Sequence, residues 1–284
     1  MTEDKEPPAE ESPLKSEVTI EYCVESVSVV THFISSTPPA FKAQPPAGDV
    51  PPQLAPFERP AWLPVVKEGD GGGVADSKFA GTPWLGASEG WPVCPNCEKP
   101  LQFFLQLDLA RLPAAVAGEY GTGLLQLFYC TNDETLCENE CEAWTPFAKS
   151  MVVRLVAPTR GATRTAAVEV EDPFPPKRIV GWREVDDYPS WQEGETLGVE
   201  LDTAAWDAMW ESGSLRTGDK LAGWPYWVQD VEYPDCPECG RKMRLVFQLG
   251  SNDNLPYDFG DVGTGHITQC PEHKHVLAFG WACT

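Results

Sequence analysis

Cations are scarce in this 284-residue sequence: 21 Lys and Arg stand against 43 Asp and Glu, a formal net charge of −22. A phosphate backbone carries the same sign, so nucleic acid is disfavoured as a partner, whereas a basic protein suits the charge. Also missing is any apolar run near the ~20 residues that cross a bilayer, so no membrane association is expected. Met1 to Glu11 is acidic and contains prolines, the opposite of a basic-then-apolar leader, and the expected location is cytoplasmic. In that reducing setting the ten cysteines read as metal ligands or free thiols, not as a disulfide framework. Core material is not lacking: 42% of residues are hydrophobic, and 11 are Trp. The length fits two ordinary domains, or a large one with a tail.

The chain opens with an acidic, Pro-rich tail over residues 1–56, which holds one candidate strand within residues 17–30. Nine prolines between Pro38 and Pro64 suggest an extended arm, and Gly69 to Gly73 a flexible joint. Residues 78–123 then align with 220–265 at a constant offset of 142, without a gap. Fourteen of the 46 positions are identical, among them Lys78/Lys220, Cys94/Cys236, Cys97/Cys239, Gln106/Gln248 and Gly123/Gly265. Unrelated sequence of ordinary composition gives roughly three matches, so internal duplication is inferred. Short apolar runs predict strands at Leu101–Leu107, Leu124–Cys130, Met151–Val156, Arg178–Val185, Met243–Leu249 and His266–Cys270, with a helix at Ala204–Trp210. The expected fold is β-rich α+β with two similar lobes. The first lobe spans residues 57–160, connecting strands and a helix 161–219, and the second lobe 220–284.

Each copy carries a Cys-x-x-Cys knuckle, Cys94-Pro95-Asn96-Cys97 and Cys236-Pro237-Glu238-Cys239. Two intervening residues let both thiolates face one ion, and a tetrahedral site then needs two further N or S donors. The second lobe offers Cys270 and His273, with His275 as the alternative to His273. In the first lobe Cys130 corresponds to Cys270, and either Cys137 or Cys141 supplies the fourth ligand. The zinc-ribbon-like sets, Cys94, Cys97, Cys130 with Cys137 or Cys141, and Cys236, Cys239, Cys270, His273, favour Zn2+ among common metals. With no open position, two structural zinc ions are expected, contributing to folding without activating water. Cys23 and Cys283 fall outside both sets.

Three features look catalytic and lack the context that catalysis needs. Gly86-Ala87-Ser88-Glu89-Gly90 has the spacing of a nucleophile elbow, yet it lies between prolines without a strand–turn–helix frame. The glycines Gly118, Gly121 and Gly123 recur in the second copy and read as a tight turn, without the helix that would hold a phosphate. His266 occupies the place of Leu124 in the ungapped alignment and has no partner legible from spacing.

Several segments resemble the YwqG-like family of bacterial proteins: Ser77 to Trp84, Gly123 to Cys130, Lys177 to Trp182, and Phe259 to Cys283. The knuckle-and-glutamine pattern is also similar to the eukaryotic programmed cell death protein 2 family. The first resemblance implies a role as an immunity partner of secreted toxins, the second an acidic chaperone of a basic ribosomal protein. The expected function is accordingly a zinc-stabilised, non-catalytic protein-interaction factor with a basic protein partner. The competing expectation is an RNA-processing hydrolase or nuclease, for which Arg160, Arg164, Lys177 and Arg178 form the only local cationic concentration.

Overall fold

A computed structural model describes residues 50–134, 136–158, 163–164 and 170–284. The expected strand within 17–30, the first part of the proline-rich arm, Cys23, Arg160 and the Arg164 side chain lie outside the described residues. In chain order the elements are β1 (Arg59–Glu68), β2 (Lys78–Phe79), β3 (Leu85–Gly86), β4 (Gln102–Asp108), β5 (Leu124–Tyr129) and α1 (Cys137–Glu140). There follow β6 (Met151–Val156), β7 (Thr163–Arg164), β8 (Lys177–Asp187), α2 (Trp191–Thr196) and α3 (Thr203–Glu211). The last are β9 (Lys220–Ala222), β10 (Arg244–Gly250), β11 (Thr264–Gln269) and β12 (Leu277–Ala282). Every strand and the helix expected from the apolar runs of the described residues is present, to within a few residues.

Ten strands form one sheet in the order β12-β11-β10-β9-β1-β8-β2-β4-β5-β6, and β3 pairs with β7 apart from it. From the central antiparallel β1–β8 pair, β9 to β12 extend one way and β2, β4, β5 and β6 the other. The two ends come together: the Trp281 backbone N–H donates to Trp144 O at 3.0 Å, and its indole Nε1 to Tyr129 Oη at 2.9 Å. The sheet is therefore nearly closed. A single core of Phe79, Phe104, Tyr129, Phe247, Phe259, Phe279 and Trp281 fills it, drawn from both halves of the chain. Aromatic side chains bury the most area per residue, and here they pack in tilted and edge-on pairs.

The proline-rich arm does not reach Pro64. Arg59–Glu68 is instead a ten-residue strand at the centre of the sheet, although it contains Pro60 and Pro64. A proline cannot donate to a ladder. On its β9 side, however, the strand pairs only at Ala61 and Trp62, so neither proline faces a partner there. Nor is the glycine run a free joint, because Asp70 anchors it. The Asp70 carboxylate accepts from Lys78 Nζ at 2.7 Å and Thr82 N at 2.7 Å.

Similar contacts recur in the second half, with donors 142 residues later and the carboxylate supplied from a different place, the end of β8. Lys220 Nζ and Trp224 N donate to Asp187 at 2.8 and 2.7 Å, as Lys78 and Thr82 do to Asp70. Gln106 accepts from Trp84 N and donates to Val74 O and Asp76 O; Gln248 accepts from Tyr226 N and donates to Arg216 O and Gly218 O. Both glutamines are fully buried in otherwise apolar strands, where they satisfy loop groups that water cannot reach. A register shift falls between Phe103 and Leu105, and again between Leu245 and Phe247.

The constant offset does not hold to residue 265. Gln106 faces Gln126 across the β4–β5 pair, and Gln248 faces His266 across β10–β11. From these strands onward the matching positions are 140 apart, so His266 stands where Gln126 does, not Leu124. Gly123 correspondingly matches Gly263. A Cβ on Gly123 would sit 2.3 Å from Val156 O, and one on Gly263 2.2 Å from Ala282 O, so the backbone of the next strand excludes any side chain at either. The Gly-Thr-Gly triplets at 121–123 and 263–265 are therefore two residues out of structural register.

Candidate metal centres

Each knuckle is a tight turn built by backbone hydrogen bonds. Cys94 N donates to Lys99 O and Glu98 N to Cys94 O, both at 2.8 Å; Cys236 N donates to Arg241 O and Gly240 N to Cys236 O, again at 2.8 Å. The turn requires a left-handed residue just after its second cysteine, with φ of 57° at Glu98 and 68° at Gly240. Glycine takes that conformation without strain, and Glu98 does not. β5 and β11 end at Tyr129 and Gln269, which sets Cys130 and Cys270 against the two knuckles.

In the first centre the Sγ atoms of Cys94, Cys97, Cys130 and Cys137 all lie within 4.8 Å of one another. The Cys94–Cys137 and Cys97–Cys130 separations are 3.9 and 3.7 Å. The second centre gathers Cys236, Cys239, Cys270 and His273 within the same limit. There Cys239 Sγ is 3.7 Å from Cys270 Sγ, and His273 Nδ1 is 3.7 Å from Cys236 Sγ and 3.8 Å from Cys270 Sγ. None of these cysteines is in a disulfide. Metal–sulfur bonds of ~2.3 Å in a tetrahedron place sulfurs ~3.8 Å apart, and a nitrogen ligand ~3.6 Å from a sulfur. Both donor sets therefore fit one tetrahedral ion each.

Of the two cysteines left open for the first centre, Cys137 joins the cluster. It begins α1, which follows Leu136 in a left-handed conformation (φ 44°). Cys141, at the far end of that single turn, is buried but outside the four. In the second centre His273 is in the cluster and His275 is not: His275 Nε2 lies 2.6 Å from Glu238 Oε1. Cys283 is in neither cluster, and its carbonyl accepts from Gln229 Nε2.

Groups that the sequence reading passed over surround both clusters. Asn96 Nδ2 donates to Cys137 Sγ at 3.3 Å and to Glu140 at 2.7 Å, tying knuckle to helix. Glu238 Oε2 lies 3.6 Å from His273 Nε2. That separation is longer than a hydrogen bond; it sets a carboxylate on the outer side of the ring, whose Nδ1 turns to the cluster. The signal for Glu238 was its place inside the knuckle opposite two histidines, of which it bonds His275.

Electrostatics also favours a cation in these places. Burial pushes the Cys94 and Cys130 thiols up, and at Cys130 the charge of Cys94 adds to the effect. Burial acts the same way on Cys270, but hydrogen bonds from the backbone amides of His273 and Glu272 and from the Cys236 and Cys239 side chains together outweigh it and bring that thiol down to about 6. Four crowded sulfurs cannot ionise together without a counter-charge, and a bound divalent ion supplies it.

The catalytic-looking motifs take other roles. Ser88 is exposed in a turn closed by Glu89 N donating to Gly86 O, and Glu89 pairs with Arg154. His266 is buried beside Trp227, with ring centroids 4.7 Å apart. Burial first, then Lys220, lowers its pKa to about 3, so its ring is neutral at ordinary pH. No helix of the described residues is long and apolar enough to cross a membrane.

Comparison with known proteins places the chain in a family. A 37-residue stretch is 46% identical to a Salmonella typhimurium protein named "Uncharacterized protein YpfL", covering 13% of this chain and 9% of that protein. The profile of a family described as "Domain of unknown function (DUF1963)" matches residues 77–273, well over half of the chain, from just before the first knuckle to His273 of the second cluster. The chain belongs to the DUF1963 family.

Proposed function

We propose that this protein is a zinc-stabilised, non-catalytic interaction factor that binds a basic protein, in the manner of a toxin-immunity protein or a ribosomal-protein chaperone. The observation that carries the reading is the closure of both metal centres. Four protein donors lie within 4.8 Å of one another in each, enough to fill the four positions of a tetrahedral ion and leave none for water or substrate. Thiolate-rich donor sets select zinc, with Cys94, Cys97, Cys130 and Cys137 holding one ion and Cys236, Cys239, Cys270 and His273 the other. The recurring lysine, aspartate and glutamine contacts support two copies of one module, and the DUF1963 match is compatible with a YwqG-like relationship. The net charge of −22 supports a cationic partner met in the cytoplasm.

The test uses the zinc-loaded full chain on immobilised poly-L-lysine, poly-L-glutamate and a single-stranded RNA. Only the polylysine surface should retain it. Raising salt from ~50 to ~500 mM should slow association far more than it speeds dissociation, because charge acts chiefly on encounter. RNA cleavage at catalytic rates, lost in His266→Ala with zinc retained, would instead establish the hydrolase reading.

A further inference from the structure

The two halves differ most in one connection. Residues 69–77 link β1 to β2, whereas residues 188–219 link β8 to β9 and contain α2 and α3. These helices carry the most exposed aromatic side chains of the described residues. Trp191 on α2 and Trp210 on α3 leave 51% and 54% of their surface to solvent. Trp206 is buried and packs on Met209, Leu215 and Leu54. It forms the floor of a groove of about 790 Å³ whose walls include Trp191, Trp210 and Tyr226. A second depression, of about 680 Å³, lies on the other side of Trp191.

Every charged side chain lining the two depressions is acidic: Glu195, Asp202 and Asp207 in the first, Glu195 and Asp230 in the second. Asp202 has a local task, since its Oδ1 accepts from Ala205 N to cap α3. The other three carboxylates border the indoles without such a bond. An exposed indole face attracts apolar groups and guanidinium or ammonium groups alike. A neighbouring carboxylate adds charge attraction and long-range steering.

We propose that the α2–α3 groove is the docking surface for an extended segment of a basic protein in which apolar side chains alternate with Lys or Arg. The apolar side chains lie on Trp206 and against Trp191 and Trp210, and the cations meet Glu195, Asp207 and Asp230. A second copy of this chain is a poor occupant, because it brings a further −22 charge to an acidic groove. Nucleic acid is repelled for the same reason. This inference rests on the proposed function and gives that binding activity a location.

The probes are three fluorescent 12-residue peptides, alternating Arg and Leu, Glu and Leu, or Arg and Ser, titrated into the zinc-loaded full chain. The Arg–Leu peptide should bind most tightly and the Glu–Leu peptide least. Replacing both exposed indoles (Trp191→Ala with Trp210→Ala) should weaken Arg–Leu binding by about tenfold or more, as loss of aromatic anchors does. The pair Glu195→Lys and Asp207→Lys should weaken it comparably and flatten its salt dependence. Glu68→Lys, at the opposite end of β1 from Arg59, serves as the control and should leave it within about threefold, because a distant charge is screened. Circular dichroism and zinc content establish that each variant is folded. Arg–Leu binding that survives loss of both indoles overturns the groove while leaving the binding-protein reading intact. Absence of any preference for the basic peptides overturns that reading itself. Self-association abolished by the double Trp variant assigns the groove to a second copy and also overturns the proposal.

Discussion

His266 gives the fold a pH dependence that one substitution should remove. The ring is buried, its bonding partner is the Tyr226 backbone, and Nε2 has no partner among the described residues. Burial and Lys220 hold its pKa at about 3, below the ordinary 6.5. A folded-state value below the unfolded one means that the unfolded chain binds the proton first as pH falls. The stabilisation is therefore complete above pH 6.5 and declines as pH drops towards 3. The slope is about 1.4 kcal/mol per pH unit, giving a loss of about 2 kcal/mol by pH 5. Gln126 occupies the matching position in the other half and donates from Nε2 to Trp84 O at 2.7 Å, a bond to the residue that corresponds to Tyr226. His266→Gln should keep that bond and abolish the titration. Urea unfolding of the zinc-loaded wild type and variant at pH 7.5, 6.0 and 5.0 reads the difference directly, and other titrating groups cancel in it. The stability of the variant relative to wild type should rise by about 2 kcal/mol between pH 7.5 and 5.0. A pH-independent difference would refute the buried, neutral imidazole.

Two further pairs of substitutions follow from particular contacts. Cys137→Ser should cost one bound zinc per chain and several kcal/mol of stability, whereas Cys141→Ser should leave the zinc content unchanged; elemental analysis of the two variants separates them. Lys220→Met leaves the fully buried Asp187 without its cation, and removing one partner of such a pair costs about 3–5 kcal/mol. Lys78→Met should cost less in the same urea assay, because the Asp70 side chain is 27% exposed and water can replace the lost partner.

The parts of this structure legible in the sequence are those fixed by local chemistry. Cys-x-x-Cys can present two sulfurs to one ion whatever the remaining fold, so the knuckles and their Cys130 and Cys270 counterparts were recognisable. Apolar runs such as Leu101–Leu107 gave strands for the same reason. Choosing Cys137 over Cys141 was not possible, because a left-handed backbone at Leu136 and a single turn of α1 decide it. The prolines of β1 masked a central strand, since their effect depends on which edge carries a neighbour, a tertiary property. Asp70 was hidden within a glycine-rich run. Its signal was Lys78, repeated as Lys220 in apolar surroundings, which requires a carboxylate when buried. The repeated Gly-Thr-Gly concealed a two-residue difference between the halves, and only the cross-strand register identified His266 with Gln126.

Closed tetrahedral zinc centres are the basis of the whole account, and the metal content of the native chain tests them most directly. Protein purified without chelator, dialysed against metal-free buffer and quantified by elemental analysis should carry two zinc ions per chain, one for each four-donor cluster. X-ray absorption should report an average of 3.5 sulfur and 0.5 nitrogen neighbours per zinc, as the four-sulfur and three-sulfur-plus-imidazole sets require. Stoichiometric iron in place of zinc, or a metal content near zero in protein that is nonetheless folded, would contradict the account.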